Sequence, residues 1–344
     1  MRCEKIYNHL NAEEYLLLRC PDSWNELLDT IKRIDANRFL KYSKDKVKKG
    51  EILYSQSDIN DEFELELFPK GWKSQKTPYY VSDNIATTRE LVKLNDKAKQ
   101  KDYLDERGEK GMETFNQVDF VKNGIAVEVQ FGKYFSVAYD LHVKHTFFYS
   151  LGEINVGVEI IPTHEFQLRM DTGVSWWENE VANVIREGRS NPSVPIVIIG
   201  IEPDELIPLP DKNSATKLEK ALRDKESAEA KLNEIIAKIP EIEEQIRNER
   251  RAAAKEKLQA KLSKIREAVG KQQEKVRNLT DVYNDALTKH NTLEAFKEAA
   301  ANTITELDEA RKGRKDKIKE ITQRLGREER IADEAEDGED DIEE

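Results

Sequence analysis

Asn123-Gly124 stands between two segments of alternating character, Gln117-Val118-Asp119-Phe120-Val121-Lys122 and Ile125-Ala126-Val127-Glu128-Val129-Gln130-Phe131. Asn-Gly between apolar runs is the strongest short-range signal for a β-hairpin, because a type I′ turn needs positive φ at both central positions. A two-residue loop fixes the register: Lys122 pairs with Ile125, and Asp119 falls opposite Glu128. Side chains alternate along a strand. One face then carries Val118, Phe120, Ile125, Val127, Val129 and Phe131, and the other Asp119, Val121, Ala126, Glu128 and Gln130. Opposed side chains have Cβ atoms about 5 Å apart, and like charges placed so are destabilising. Two carboxylates kept there are most simply explained by a cation between them. Carboxylates, a backbone carbonyl and water suit a hard ion such as Mg²⁺, Ca²⁺ or Mn²⁺, whereas zinc would want His or Cys. The same alternation also describes a half-solvated strand that carries no site.

The chain has 344 residues, room for two domains, and is 38% hydrophobic and 36% charged. Its mean hydropathy of −0.76 is too polar for one compact globule, so part of it should be elongated or solvated. It shows no secretory signal and no apolar run long enough to span a bilayer, which reads as a soluble cytoplasmic protein with no membrane partner. Cys3 and Cys20 are its only cysteines, which gives no disulfide framework and no zinc spacing. The net charge of −12 is unevenly spread: residues 1–210 carry −8, residues 211–327 carry +6 and residues 328–344 carry −10. Placement of charge constrains partners more than the total does.

Residues 1–210 read as an α/β domain. A helical stripe runs through Tyr15, Leu18, Trp24, Leu27, Leu28 and Ile31, so one helix is expected from Glu13 to Arg33. Residues 41–116 look polar and irregular, with a mobile charged stretch from Lys93 to Lys110. Helices are expected over Tyr134–Tyr149 and Trp176–Arg186, and strands over Ile154–Ile161 and Pro195–Ile201, the last covered on both faces. Ile207-Pro208-Leu209-Pro210 marks a boundary. Residues 214–326 then contain one proline and three glycines, and their apolar positions recur at three- and four-residue spacing, as in long amphipathic helices. A break or kink is expected at Pro240 and a break near Thr292, giving an antiparallel coiled-coil hairpin or a three-helix bundle. The acidic segment 328–344 should be disordered.

Written out this way, the chain resembles the BglII-like restriction endonucleases, a branch of the PD-(D/E)XK nuclease superfamily. The resemblance rests on Val118-Asp119-Phe120 and Glu128-Val129-Gln130-Phe131, with Gln130 where the superfamily usually has Lys. It extends to Tyr7-Asn8-His9, Pro69-Lys70-Gly71-Trp72-Lys73, the strand leading to His164, Trp176-Trp177-Glu178 and Val194-Pro195-Ile196 through Gly200, covering about residues 5–202. It implies a nuclease core of central mixed sheet flanked by helices over 1–210, to which this chain adds an all-α coiled-coil extension over 211–327. It implies Asp119 and Glu128 as Mg²⁺ ligands, the Val129 carbonyl as a third, and Gln130 orienting the attacking water. Where the family has Asn after its Trp-Lys, this chain has Gln75. Gln75, Lys133, His164 and Arg169 are the candidates for DNA contact. The loop from Arg169 to Gly173 departs from the family, so no target sequence carries over.

The expected activity is hydrolysis of double-stranded DNA at a palindromic site by a homodimer, each subunit cutting one strand. Two other readings remain open: a nuclease subunit of a multiprotein defence system, reached by a protein partner through residues 214–326, and a non-catalytic coiled-coil assembly protein. Beside each functional candidate stands a bland one. His142 and His145 fit packed histidines, Trp176 and Trp177 fit core positions, and Arg186 and Arg189 fit scattered surface cations.

Overall fold

The computed structural model describes the backbone of residues 1–340 and the side chains of residues 1–326. The acidic segment 328–344 lies outside the residues described in full. In chain order the elements are β1 (Arg2–His9), α1 (Ala12–Arg19), α2 (Pro21–Arg33), β2 (Leu40–Tyr42), β3 (Ile52–Tyr54), α3 (Gln56–Leu67), β4 (Lys73–Val81), α4 (Ile85–Leu91), α5 (Lys97–Arg107), β5 (Met112–Lys122), β6 (Ile125–Val129), α6 (Tyr134–Tyr139), α7 (His145–Ser150), β7 (Val156–Pro162), α8 (His164–Gln167), α9 (Trp177–Glu187), β8 (Ile196–Glu202), α10 (Ser214–Asn248) and α11 (Ala252–Asp340). The chain divides into two units, Met1–Ile207 with Ala300–Glu344, and Pro208–Ala299. The charge pattern alone groups 211–327 together; the fold instead returns the last part of α11 to the first unit.

The first unit is built on a six-stranded mixed sheet in the order β1-β8-β7-β6-β5-β4. β6, β7 and β8 run parallel, while β1, β5 and β4 are antiparallel to their neighbours. The central strands β6, β7 and β8 are buried at every position, which is why they read as continuous apolar runs. On one face Val137, Leu141, Val181 and Val184 of the following helices close over Ile161, Ile196 and Ile198. Further along that face Phe148 and Ile154 cover Val118 and Ala126. Gly157 leaves the space occupied by the His145 ring; a Cβ there would lie 2.8 Å from His145 Nδ1.

Several expectations change. Pro21 starts a new helix, so the stripe from Glu13 to Arg33 is two helices, with Pro at the first position of the second. Residues 41–116 are ordered into β2 to β4 and α3 to α5, and the charged stretch forms α5, capped by Asp96 accepting from the Ala98 and Lys99 amides. The expected helix 134–149 is interrupted by a π-helical turn over Asp140–Lys144.

In the second unit α10 and the start of α11 lie antiparallel. Gln272 Nε2 donates to the Ala228 carbonyl at 2.9 Å, Arg266 meets Glu243 at 3.0 Å, and Ser214 Oγ lies 3.1 Å from His290 Nδ1. This is the expected hairpin, but its break falls at 249–251. α10 continues through Pro240 and α11 through Thr292. Among the described residues no helix is long and apolar enough to cross a membrane.

Candidate active site

The Asn123-Gly124 turn forms with φ of 52° and 73°, and Lys122 pairs with Ile125, Val121 with Ala126 and Phe120 with Val127. Beyond Phe120 the simple ladder ends. On the other side of β5 the register steps from Gln75–Val118 to Lys73–Val121, so Asp119 and Phe120 together stand opposite Ser74. This is a β-bulge, the device that re-aims side chains next to functional sites. It separates β5 from the end of β6, and the Asp119 carboxylate bridges the gap by accepting from the Val129 amide at 3.2 Å. The bulge also corrects the expected face assignment: Val118 packs with Val121 and Ala126, while Phe120 turns to Phe68, ring centroids 5.4 Å apart.

Glu128 is only 1% exposed. Its register partner on parallel β7 is Glu159, fully buried. The Lys144 ammonium reaches in from the π-helical turn, 2.9 Å from Glu128 Oε1 and 2.8 Å from Asp140 Oδ1. Burial, then the charges of Asp119 and Asp140, push the Glu128 carboxyl well above the usual glutamate range. Burial, then Asp140 and Glu128, do the same to Glu159. Lys144 is held charged, because the pull of Glu128 and Asp140 outweighs the burial that opposes it. Glu128 and Asp140 thus share one ammonium, with the Asp119 charge felt by Glu128, Asp140 and Glu159, an excess of negative charge about buried groups that calls for more positive charge or for protons.

That surplus tests the fit of a hard divalent cation, and the donors pass. Asp119 and Glu128 offer carboxylate oxygens, with the Val129 backbone beside them. Among the described residues no three His, Cys, Asp or Glu side chains form a ready-made metal cage. Gln130 lies at the same strand end. Its Nε2 donates to Asp140 Oδ2 at 2.9 Å and its Oε1 accepts from the Gly132 amide at 2.7 Å.

The remaining candidates scatter. Gln75 donates to Glu153, next to Thr77, and is committed there. Lys133 is exposed, at the start of α6, and bridges in β fashion to Val174. His164 is exposed at the start of α8 with its ring 5.5 Å from that of Trp176. Arg169 is buried, donating to the carbonyls of Ile207 at 2.5 Å and Glu165 at 2.6 Å. Its guanidinium is committed to these carbonyls. Trp177 is partly buried against the core, its indole donating to the Ile198 carbonyl. His142 pairs with Glu187 at 3.1 Å, and His145 packs beside Glu159 at 3.4 Å.

Sequence reasoning passed over Asp140, Lys144, Glu159 and Glu64. Glu159 left a signal, an acid in the middle of the apolar run Val156–Pro162. Asp140 and Lys144 left only their i, i+4 spacing. Glu64 of α3 left none; burial and the nearby charges of Asp61 and Asp119 push its carboxyl up to about 7.

A family model described as restriction endonuclease BglII/BglIII matches residues 5–201. The chain belongs to this family. The match takes in the bulge, the turn, Glu128, Gln130 and Lys144, and it stops before α10 and α11. A search of curated proteins found no match. Membership in the BglII/BglIII family implies a restriction-type nuclease that binds DNA.

Proposed function

We propose that this protein is a Mg²⁺-dependent type II restriction endonuclease that hydrolyses double-stranded DNA at a specific palindromic site as a homodimer in the cytoplasm. The observation that carries the reading is the bulge at Asp119, which brings this carboxylate to the Val129 amide and the buried Glu128 at one strand end, beside Gln130. Asp119, Glu128 and the Val129 carbonyl would hold the cation. When bound it would lower the pKa of a coordinated water and neutralise charge growing on the phosphate.

The chain's own residues supply the rest. Gln130 cannot accept a proton at neutral pH. Anchored between Asp140 and the Gly132 amide, it keeps one amide hydrogen and one lone pair with which to orient the attacking water. The water oxygen bonds to phosphorus as the bond to the 3′ oxygen breaks; the attacking water's proton leaves to solvent or to a phosphate oxygen, and the departing 3′ oxygen takes a proton from solvent water. Lys144, fixed between two carboxylates, is a standing positive charge that requires no reorganisation when the phosphate charge develops.

Incubation of the purified protein with phage and plasmid DNA in Mg²⁺ should give discrete bands, lost with EDTA and in Asp119→Ala and Glu128→Ala. Retained cleavage in either variant, in preparations free of other nucleases, would sink the assignment. A second reading, a nuclease switched on by a protein partner, is favoured by one observation: α11 runs from the second unit into the first, where Arg311 meets Asp58 of α3 at 2.8 Å. Cleavage that appears only when a partner is added would select it.

A further inference from the structure

The loop joining β2 and β3 reads Lys44-Asp45-Lys46-Val47-Lys48-Lys49-Gly50, with four lysines against one acid. The acid is turned inward. Asp45 Oδ1 accepts from the Val47 amide at 2.7 Å and the Lys48 amide at 3.3 Å, and Oδ2 accepts from Thr172 Oγ1 at 2.5 Å. Those bonds, the Thr172 hydroxyl first, hold the Asp45 carboxyl below its usual range. Lys48 is spent as well, donating to the carbonyls of Leu168 at 2.9 Å and Met170 at 2.5 Å. Lys44, Lys46 and Lys49 are left exposed on a tip held by these bonds. Ser43 exchanges backbone hydrogen bonds with Glu51 and Gly50, and the Glu51 amide donates to Lys48. Three ammonium groups held on so short a rigid turn repel one another, and the nearest acid on the neighbouring loop, Asp171, is already occupied by Lys41 and Ser43.

The tip is tied to the reaction site through one loop. Residues 168–172 bind the tip as described. The next residues of that loop pair with the strand end that carries Gln130: the Tyr134 amide donates to the Gly173 carbonyl at 3.2 Å, and the Ser175 amide to the Gly132 carbonyl at 3.3 Å. Exposed Lys133 sits on that same segment. A firm link therefore runs from the lysine tip to the residue proposed to orient the attacking water.

We propose that the β2–β3 tip, through Lys44, Lys46 and Lys49, is a contact surface for the phosphate backbone of duplex DNA. This rests on the nuclease reading and adds to it a sequence-independent clamp that sets the position of the duplex on the site. Contacts to phosphates position a protein on DNA without reading sequence, and each one neutralised contributes about 0.9 to the slope of log affinity against log salt.

The test uses the full chain and a labelled random-sequence duplex in EDTA, with affinity measured across a KCl series. Three proteins are compared: wild type, Lys44→Gln/Lys46→Gln/Lys49→Gln, and a control with Lys99→Gln/Lys101→Gln/Lys110→Gln. The tip variant leaves Asp45, Ser43 and Lys48 intact, so its thermal melt should match wild type. A slope lowered by about two to three in the tip variant and unchanged in the control is the expected result. A wild-type slope in the tip variant overturns the clamp and leaves the nuclease reading standing. An equal fall in the control overturns it too, by showing an effect of net charge alone. Absence of duplex binding by the wild type overturns the clamp and the nuclease reading together.

Discussion

Lys144 supplies a charge to carboxylates that would otherwise be buried in excess, and its removal should be felt in two ways. In Lys144→Met, Glu128 and Asp140 lose the ammonium at 2.9 and 2.8 Å, and a broken buried ion pair typically costs about 3–5 kcal/mol. The melting temperature should fall accordingly, and Mg²⁺ should restore more of it in the variant than in wild type, because the cation then faces uncompensated carboxylates. Equal Mg²⁺ responses in the two proteins would separate Lys144 from the cation site. His145 offers a different readout. Burial and then the Lys144 charge push its imidazole down to about 3, so the folded protein holds it neutral while the unfolded chain protonates near the ordinary 6.5. Its stability contribution is complete above about pH 6.5 and is lost as pH falls toward 3, at a slope of about 1.4 kcal/mol per pH unit. His145→Asn should flatten the stability-against-pH curve in that window; an unchanged curve would mean that the ring ionises freely. Asp119, Glu128 and Gln130 could be proposed from the sequence because a turn signal joins the two strands that carry them. Lys144 could not, because its partners lie across a helix–sheet contact that the π-helical turn places and no local pattern announces.

The hairpin of β5 and β6 is the element on which the site depends, and Gly124 is its tightest point. Its φ of 73° suits glycine, and a Cβ there would lie 2.5 Å from Asn155 Nδ2. Gly124→Ala should destabilise by about 1–2 kcal/mol, from the left-handed backbone alone, and should lower cleavage by loosening the register of Glu128. Unchanged melting and activity would show that the turn is not what holds the strands. The strands and the turn were readable because periodicity two and Asn-Gly are local signals. The bulge was not, since it depends on how β4 pairs with β5, and β4 lay in a stretch too polar to read as a strand. For the same reason the two breaks expected in the long helices were misplaced. A proline about two turns from the end of α10 is tolerated where the helix is held by its partner, and the true break at 249–251 carries no proline or glycine. Local rules failed where tertiary pairing decided.

The whole molecule is a nuclease unit with a helical hairpin inserted between β8 and the last part of α11. The chain leaves the first unit at Pro208 and rejoins it at Ala300. The rejoining helix is structural: Ile304 and Leu307 are buried, Arg314 lies over the Phe39 ring at 4.8 Å and meets Glu62 at 2.6 Å, and Arg311 holds Asp58, whose side chain is 2% exposed. The two ends of the extension should therefore behave in opposite ways. Truncation after Ala299 would strip Asp58 of its guanidinium and leave a buried carboxylate without its ion-pair partner, at a cost of about 3–5 kcal/mol. Excision of residues 232–268 with a short Gly-Ser closure would shorten the antiparallel hairpin without touching those contacts, and the first unit should melt as before. Cleavage then discriminates between the two readings of the extension. If the hairpin is a passive or dimerising arm for a free-standing restriction enzyme, the shortened protein still cuts DNA, with at most a concentration-dependent loss. If the hairpin receives an activating partner, the shortened protein stays folded and no longer responds to that partner. A shortened protein that unfolds along with the truncated one would refute the division of labour along α11 that both readings assume.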